Sequence, residues 1–214
     1  MKKINKGTEP DSLTQWKRQH QNSTYQYLPS VERQDIRSDC LKEQFYLCAY
    51  CCQSITGKNN DCVNEHVVAR KIAQNRNLDF SNIVASCTTP GQCDAAHKSQ
   101  SFALTPFMNE CETELKFKIS GRVEGLTPRA IETIKVLNLG DTEKNNRSLI
   151  EKRKQLSQSV LWTNGINPED GIDDDELINL LIVEIVADIE CPKDGKLEAF
   201  SPIVVNILRS WLAA

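Results

Sequence analysis

Between two pairs of cysteines the chain places Asn64-Glu65-His66, then Asn82, and after the last cysteine Asp94-Ala-Ala-His97-Lys98. These residue types suit hydrolysis of a phosphodiester. That reaction needs a base to activate water and a cation to stabilise the charge that builds on the phosphate and the leaving oxygen. A histidine, neutral near pH 7, suits the first task. Carboxylates such as Glu65 and Asp94 suit a hard cation, Mg²⁺ or Mn²⁺. Asp94 and His97 are three apart, so on a helix they share a face. Glu65 and His66 are adjacent, so on a strand they point to opposite faces. A bend or bulge is expected there to bring both to one phosphate. Singly, each residue is ordinary: a histidine is more often a hydrogen-bonded structural group, and an asparagine a turn or cap. The order carries the weight.

The cysteines have spacing of their own. Cys48-Ala-Tyr-Cys51 is a Cys-x2-Cys pair, and Cys87 and Cys93 stand with five residues between them. Four thiolates in a tetrahedron are a preferred set for Zn²⁺. Cys52 in place of Cys51 would make the first pair Cys-x3-Cys. The alternative is a group of small buried hydrophobes. Zinc is the preferred reading, because the segment has few large apolar residues to fold around without a metal. Cys40, Cys62, Cys111 and Cys191 lack paired spacing and read as structural.

Helices must frame these residues. Residues 10–20 read as a short polar helix. Residues 30–46 read as a second, with Ser30 as N-cap and Val31, Cys40, Leu41 and Phe45 among its apolar positions. Residues 48–98 are rich in Asn, Gly, Ser and Thr, and long helices fit poorly there. Leu115, Phe117 and Ile119 alternate with lysines, Ser120-Gly121 turns the chain, and Arg122-Val123 begins a return strand. Thr127-Pro128 gives an N-cap followed by proline at the first helical position. Gly140 reads as the stop, and Asp141 as the cap of a helix running to about Trp162. Asp173-Asp174-Asp175-Glu176 opens a helix to Ile189, apolar on nearly every side and so expected to be buried. Ser201-Pro202 starts a last helix ending near Trp211. The fold class is α+β and mostly α-helical: an N-terminal helical segment (1–46), a small module (47–126) and a C-terminal helical region (127–214).

Composition sets the frame. Of 214 residues, 39 % are hydrophobic and 26 % charged, as in a soluble globular chain. No apolar run reaches the 18 or so residues of a membrane span. The basic start is not followed by an apolar signal region, so a cytoplasmic, reducing location is expected, where nine cysteines suggest metal more than disulfides. The net charge of -3 hides an asymmetry: residues 165–200 hold 11 acidic and 2 basic groups, while the rest of the chain has a surplus of six positive charges. The acidic region should face away from phosphates and is expected to help hold the chain in an assembly.

The order Cys-x2-Cys, acid-His, Asn, Cys, Cys-acid-x2-His-Lys resembles the zinc-knuckle branch of the HNH nucleases, and more closely the HNH subunit of Septu-type anti-phage systems, including those encoded beside retrons. The resemblance covers most of the chain. It includes the opening Lys-Ile-Asn-Lys-Gly-Thr-Glu-Pro-Asp-Ser-Leu, the Cys-Ala-Tyr-Cys, the Glu-His, the Asn before an apolar run ending in Cys, and Leu-Thr-Pro-Phe followed by the 115–125 hairpin. It implies a ββα-metal module with His66 as general base, Glu65 as metal ligand and Asn82 as the brace of the loop presenting the base. The family has His or Asn just after the last knuckle cysteine. Asp94 occupies that position here and His97 comes slightly late, so either is the expected third ligand, with His97 preferred and Asp94 as helix cap. The resemblance further implies a nucleic-acid substrate (DNA by default, structured RNA such as tRNA as the other option), an ABC-type, SMC-like ATPase partner and, in a retron-linked member, reverse transcriptase with its RNA-linked DNA. The rival expectation is a zinc-stabilised adaptor without catalysis.

Overall fold

The computed structural model describes residues 1–167 and 176–212. Among them lie seven α-helices: α1 (Asp11–Gln19), α2 (Ser30–Glu43), α3 (Asp94–His97), α4 (Pro128–Leu137), α5 (Glu143–Thr163), α6 (Glu176–Glu190) and α7 (Ser201–Leu212). Two antiparallel strand pairs accompany them, β1 (Cys62–His66) with β2 (Ile83–Cys87), and β3 (Leu115–Phe117) with β4 (Val123–Gly125). The chain is therefore α+β and mainly helical. No helix among the described residues is long and apolar enough to cross a membrane.

One apolar core takes side chains from every part of the chain, including Ile4 and Leu13, Ile36 and Leu41 of α2, Ile83 and Ala85 of β2, Leu137 of α4 and Ile203 of α7. A second, smaller core forms where α5, α6 and α7 meet around Leu161, Ile182 and Leu208. The N-terminal residues are tied into this fold at both core and surface. Ile4 donates to the Pro106 carbonyl at 2.8 Å, and the Lys6 ammonium reaches Glu43 at 2.6 Å and the Ile83 carbonyl at 3.0 Å while lying over the Phe80 ring.

Local chemistry sets most element ends. Thr127 caps α4 by accepting from the Ala130 amide at 3.3 Å, with Pro128 behind it, as the sequence leads one to expect. Several expectations are corrected. Pro29, not Ser30, occupies the N-cap of α2, and that helix ends at Glu43 because Phe45 and Tyr46 take left-handed backbone angles. Val31 is exposed on its outer face. Asn138 in the left-handed region ends α4, ahead of Gly140, and Thr142 rather than Asp141 precedes α5. Ile119 lies beyond the end of β3. Helix α6 is not buried all round: Ile182, Ile185 and Val186 face the second core, but Leu180 and Val183 are exposed, since the helix packs on one side only. The expected acidic cap of α6, Asp173 to Asp175, lies outside the described residues.

Candidate metal and catalytic site

Strands β1 and β2 and the short helix α3 carry the site. The register pairs Cys62 with Cys87, Glu65 with Val84 and His66 with Ile83. It runs without a bulge, so the bend expected between Glu65 and His66 is absent. Side-chain alternation sends them to opposite sides instead. Glu65 meets α3, and His66, the last residue of the strand, meets the loops beyond it. Each still feels the other's charge.

On the first side, Glu65 contacts Nδ1 of His97 directly, and the His97 Nε2 lies 2.6 Å from the Gln100 carbonyl. A carbonyl can only accept, so Nε2 carries a proton and Nδ1 is the nitrogen turned to Glu65. His97 is fully buried, with Phe102 edge-on to its ring at 4.9 Å. Asp94 is half-buried and shares a hydrogen bond with Glu65. It is not the N-cap of α3: Cys93 takes that place, with φ of 53°, and Asp94 makes no capping bond. Burial, then Glu65, pushes the Asp94 carboxyl up to about 7. Burial also pushes Glu65 up, but the hydrogen bonds from His97 and Asp94 outweigh it and hold Glu65 below its ordinary value. For His97 burial acts downward, and the bond and charge of Glu65 reverse it, so the net shift is upward.

On the other side, Nε2 of His66 lies 2.9 Å from the Asn77 carbonyl, which leaves Nδ1 with its lone pair. Burial is the main cause of a lowered proton affinity at His66, and Arg70 adds to it. The imidazole is therefore neutral near pH 7. Tyr25 packs edge-on against it at 4.8 Å, and the Tyr25 amide is held by the Asn77 side chain at 3.2 Å. Asn82 is fully buried and clamps the chain leaving His66. Its Oδ1 accepts from the Val68 amide at 2.8 Å, and its Nδ2 donates to the Val68 carbonyl at 2.9 Å.

Behind the strands, Cys48, Cys51, Cys87 and Cys93 are all buried, and their sulfurs lie within 4.8 Å of one another. Metal–sulfur arms of about 2.3 Å give a tetrahedron with edges of about 3.8 Å, so the four can hold an ion such as Zn²⁺. Donors surround them: the Cys87 amide reaches Cys48 Sγ at 3.3 Å, and Gln92 Nε2 lies 3.7 Å from Cys51 Sγ and 3.6 Å from Cys87 Sγ. Cys51 belongs to this group and Cys52 does not. Among the described residues, this is the one group of three or more ligands that meets such a spacing. Glu65 instead pairs separately with His97 and Asp94. Burial pushes the thiols of Cys40 and Cys62 up to about 12 and that of Cys111 up to about 11, which suits inert packing groups. Cys191 is exposed and packs in no core, contrary to its reading as structural.

Four residues at the site carry no signal in the sequence. Asn77, in a loop, joins Tyr25 to His66. Arg70 lies over the Tyr25 ring. Tyr50, between the two knuckle cysteines, is fully buried with no hydrogen-bond partner for its hydroxyl among the described residues, and burial, then the charges of Glu65 and Cys48, push its phenol well above the usual value. Arg153 of α5 is fully buried, donates to the Leu139 carbonyl at 2.6 Å, and has no partner at Nε or Nη2 among the described residues. Its charge acts on Cys51, Cys52 and Cys93.

No protein-family model matches the chain, and no curated protein matches it, so the reading of the site rests on its own geometry.

Proposed function

We propose that the chain is a metal-dependent nuclease of the HNH class, with a ββα-metal module formed by β1, β2 and α3. The observation that carries the reading is the arrangement about β1. Glu65 contacts His97 with Asp94 beside it on one side, and His66, the next residue and the last of the strand, stands on the other with a free Nδ1 and its proton-bearing nitrogen fixed by Asn77, so a phosphate reaches both only by lying across the strand end. Two carboxyls and an imidazole are donor types for Mg²⁺ or Mn²⁺, and a buried acid beside a half-buried one whose carboxyl is raised to about 7 suits a place that takes a cation. When bound, the cation supplies stabilisation of charge on the phosphate and leaving oxygen. His66 Nδ1 takes a proton from water as the oxygen attacks phosphorus and the bond from phosphorus to the leaving oxygen breaks; water protonates the departing alkoxide, and the Asn77 carbonyl accepts from the imidazolium that results. Asn82 keeps the following loop, and so the imidazole, in place. The four cysteines hold Zn²⁺ as a structural ion.

The resemblance extends the proposal to an effector of anti-phage defence, activated with an ABC-type, SMC-like ATPase and, in a retron-linked setting, with reverse transcriptase and its RNA-linked DNA. DNA is the favoured substrate and structured RNA such as tRNA the other. A second reading, a zinc-stabilised adaptor without catalysis, is favoured by one observation: Glu65 is in direct contact with His97. An octahedral cation with arms of about 2.0–2.1 Å sets adjacent donors about 3 Å apart, so that contact must open to admit one.

The test incubates the chain, alone and with its ATPase partner, with phage DNA and with total RNA, with and without Mg²⁺ or Mn²⁺. The proposal expects cation-dependent cleavage that Glu65→Gln abolishes. Mn²⁺ that neither binds nor supports cleavage, in protein that retains zinc, would establish the adaptor.

A further inference from the structure

Three arginines gather on the His66 side of β1. Arg33 and Arg37 lie one turn apart on α2, and Arg70 lies on the loop that leaves the strand. The guanidinium carbons of Arg33 and Arg70 stand 5.2 and 5.3 Å from the centroid of the Tyr25 ring, which His66 meets edge-on at 4.8 Å. Both charges are thus within roughly one Debye length, about 8–10 Å, of each other and of the imidazole. Arg37 is near enough to act on the same phenol.

Arg76, Arg129 and Arg209 each pair with a carboxylate. Among the described residues Arg33, Arg37 and Arg70 have none. Arg33 donates to the carbonyls of Tyr25 and Gln26, and Arg37 to the Gly57 carbonyl and to Asn59 and Gln34. The buried Nε groups of Arg33 and Arg37 have no acceptor among the described residues. Like charges gathered at one place repel one another, and an anion among them relieves that repulsion. Tyr25 itself is 9 % exposed and its ring is covered by guanidinium and imidazole, so it offers no face for a base to stack on.

We infer that Arg33, Arg37 and Arg70 form the phosphate track along which a nucleic-acid strand is laid against His66, with Arg70 at the phosphate nearest the imidazole. The inference rests on the nuclease reading and adds how substrate is held: by its backbone, independent of sequence, because these interactions carry no information on base identity. Sequence or structure preference then has to come from another surface or from the partner.

The experiment measures binding of a labelled single-stranded and a labelled duplex oligonucleotide to the full chain by fluorescence anisotropy across a salt series, without Mg²⁺ or Mn²⁺ so that no cleavage intervenes. Removing one arginine–phosphate interaction should reduce the slope of log K against log salt by about 0.9 for duplex and about 0.7 for single strands. Arg70→Gln should lose about one such step, and Arg33→Lys with Arg37→Gln and Arg70→Gln about two. Arg70 is exposed and donates no hydrogen bond to a described residue, so its variant should keep the parent's melting temperature. Lys152→Gln, on α5, should bind as the parent does. If the parent binds no nucleic acid at all, the nuclease reading fails with this one. If the parent binds and Arg70→Gln and the triple variant bind equally well with the same slope, the track is wrong and the nuclease reading stands.

Discussion

Arg153→Met should act in opposite directions on the metal-loaded and metal-free protein. The guanidinium is fully buried, holds one carbonyl, stands 5.0 Å from the centroid of the Phe117 ring and has two nitrogens without partners among the described residues; the charges that act on it are those of Cys51, Cys52 and Cys93. Four thiolates around Zn²⁺ leave two net negative charges, and the buried cation that acts on Cys51 and Cys93 compensates them out of water, as in a buried ion pair. Removing one member of a buried pair typically costs about 3–5 kcal/mol. The loss in zinc affinity is the difference between the effects on the loaded and the metal-free protein, so at about 1.4 kcal/mol per decade it is at least roughly 10²-fold. With zinc removed and the thiols protonated, the same guanidinium is a buried charge with no anion. Methionine fills much of its volume without charge, and replacing a buried ionic group by an apolar one is often neutral or stabilising by about 1–4 kcal/mol. The orphaned Leu139 carbonyl offsets about 1 kcal/mol of that gain. The assay is competition for zinc with a chromophoric chelator, together with urea denaturation of loaded and stripped protein. Equal destabilisation of both forms, or a zinc affinity within about threefold of the parent, would refute this electrostatic coupling.

Other outcomes follow from single side chains. Cys87→Ser should release zinc, read by elemental analysis, and loosen the module as a whole, because structural zinc contributes about 10–16 kcal/mol in isolated finger peptides. Asn82→Ala strips two hydrogen bonds from Val68 in a buried setting; at about 1–3 kcal/mol for a buried group left unpaired, it should lower the urea midpoint and slow catalysis together. Asp94 carries a pH effect. Its folded-state pKa, about 7, is above its ordinary value of 3.8, so its contribution to stability is fully present below 3.8 and is lost as pH rises through 7. Asp94→Asn should therefore gain in melting temperature relative to the parent between about pH 5 and pH 8 in buffer without Mg²⁺ or Mn²⁺. A difference that stays flat with pH would contradict the placement of Asp94 against Glu65.

Features set within a few residues are legible in the sequence. Thr127-Pro128 starts a helix because the cap and the proline act on their own turn, and the Cys48/Cys51 and Cys87/Cys93 spacing locates two turns that face each other. Helix ends are less legible where the backbone angle falls to another residue: Asn138 takes the role expected of Gly140, and Phe45 and Tyr46 turn α2 aside without glycine. The exposure of one side of α6 is hidden because an apolar sequence does not say how many faces have neighbours. At the site, Glu65, His66, Asn82, Asp94 and His97 can be picked out by order, but their partners cannot. Asn77 and Gln100 act through backbone carbonyls, which every residue has. Tyr25, Arg33 and Arg70 come together only when α2 packs beside β1. Arg153 is one of many basic residues in an amphipathic helix until its burial is known.

The central claim is that His66 is the base of a cation-dependent nuclease, and chemical rescue tests it most directly. His66→Gly should retain zinc and fold, and it should lose about 10²- to 10⁴-fold in single-turnover cleavage rate with Mg²⁺ or Mn²⁺. The ring it removes is nearly fully buried, so the space it leaves can admit imidazole, and added imidazole should restore part of the rate to this variant and none to the parent. A His66→Gly protein that cleaves as fast as the parent would contradict the account.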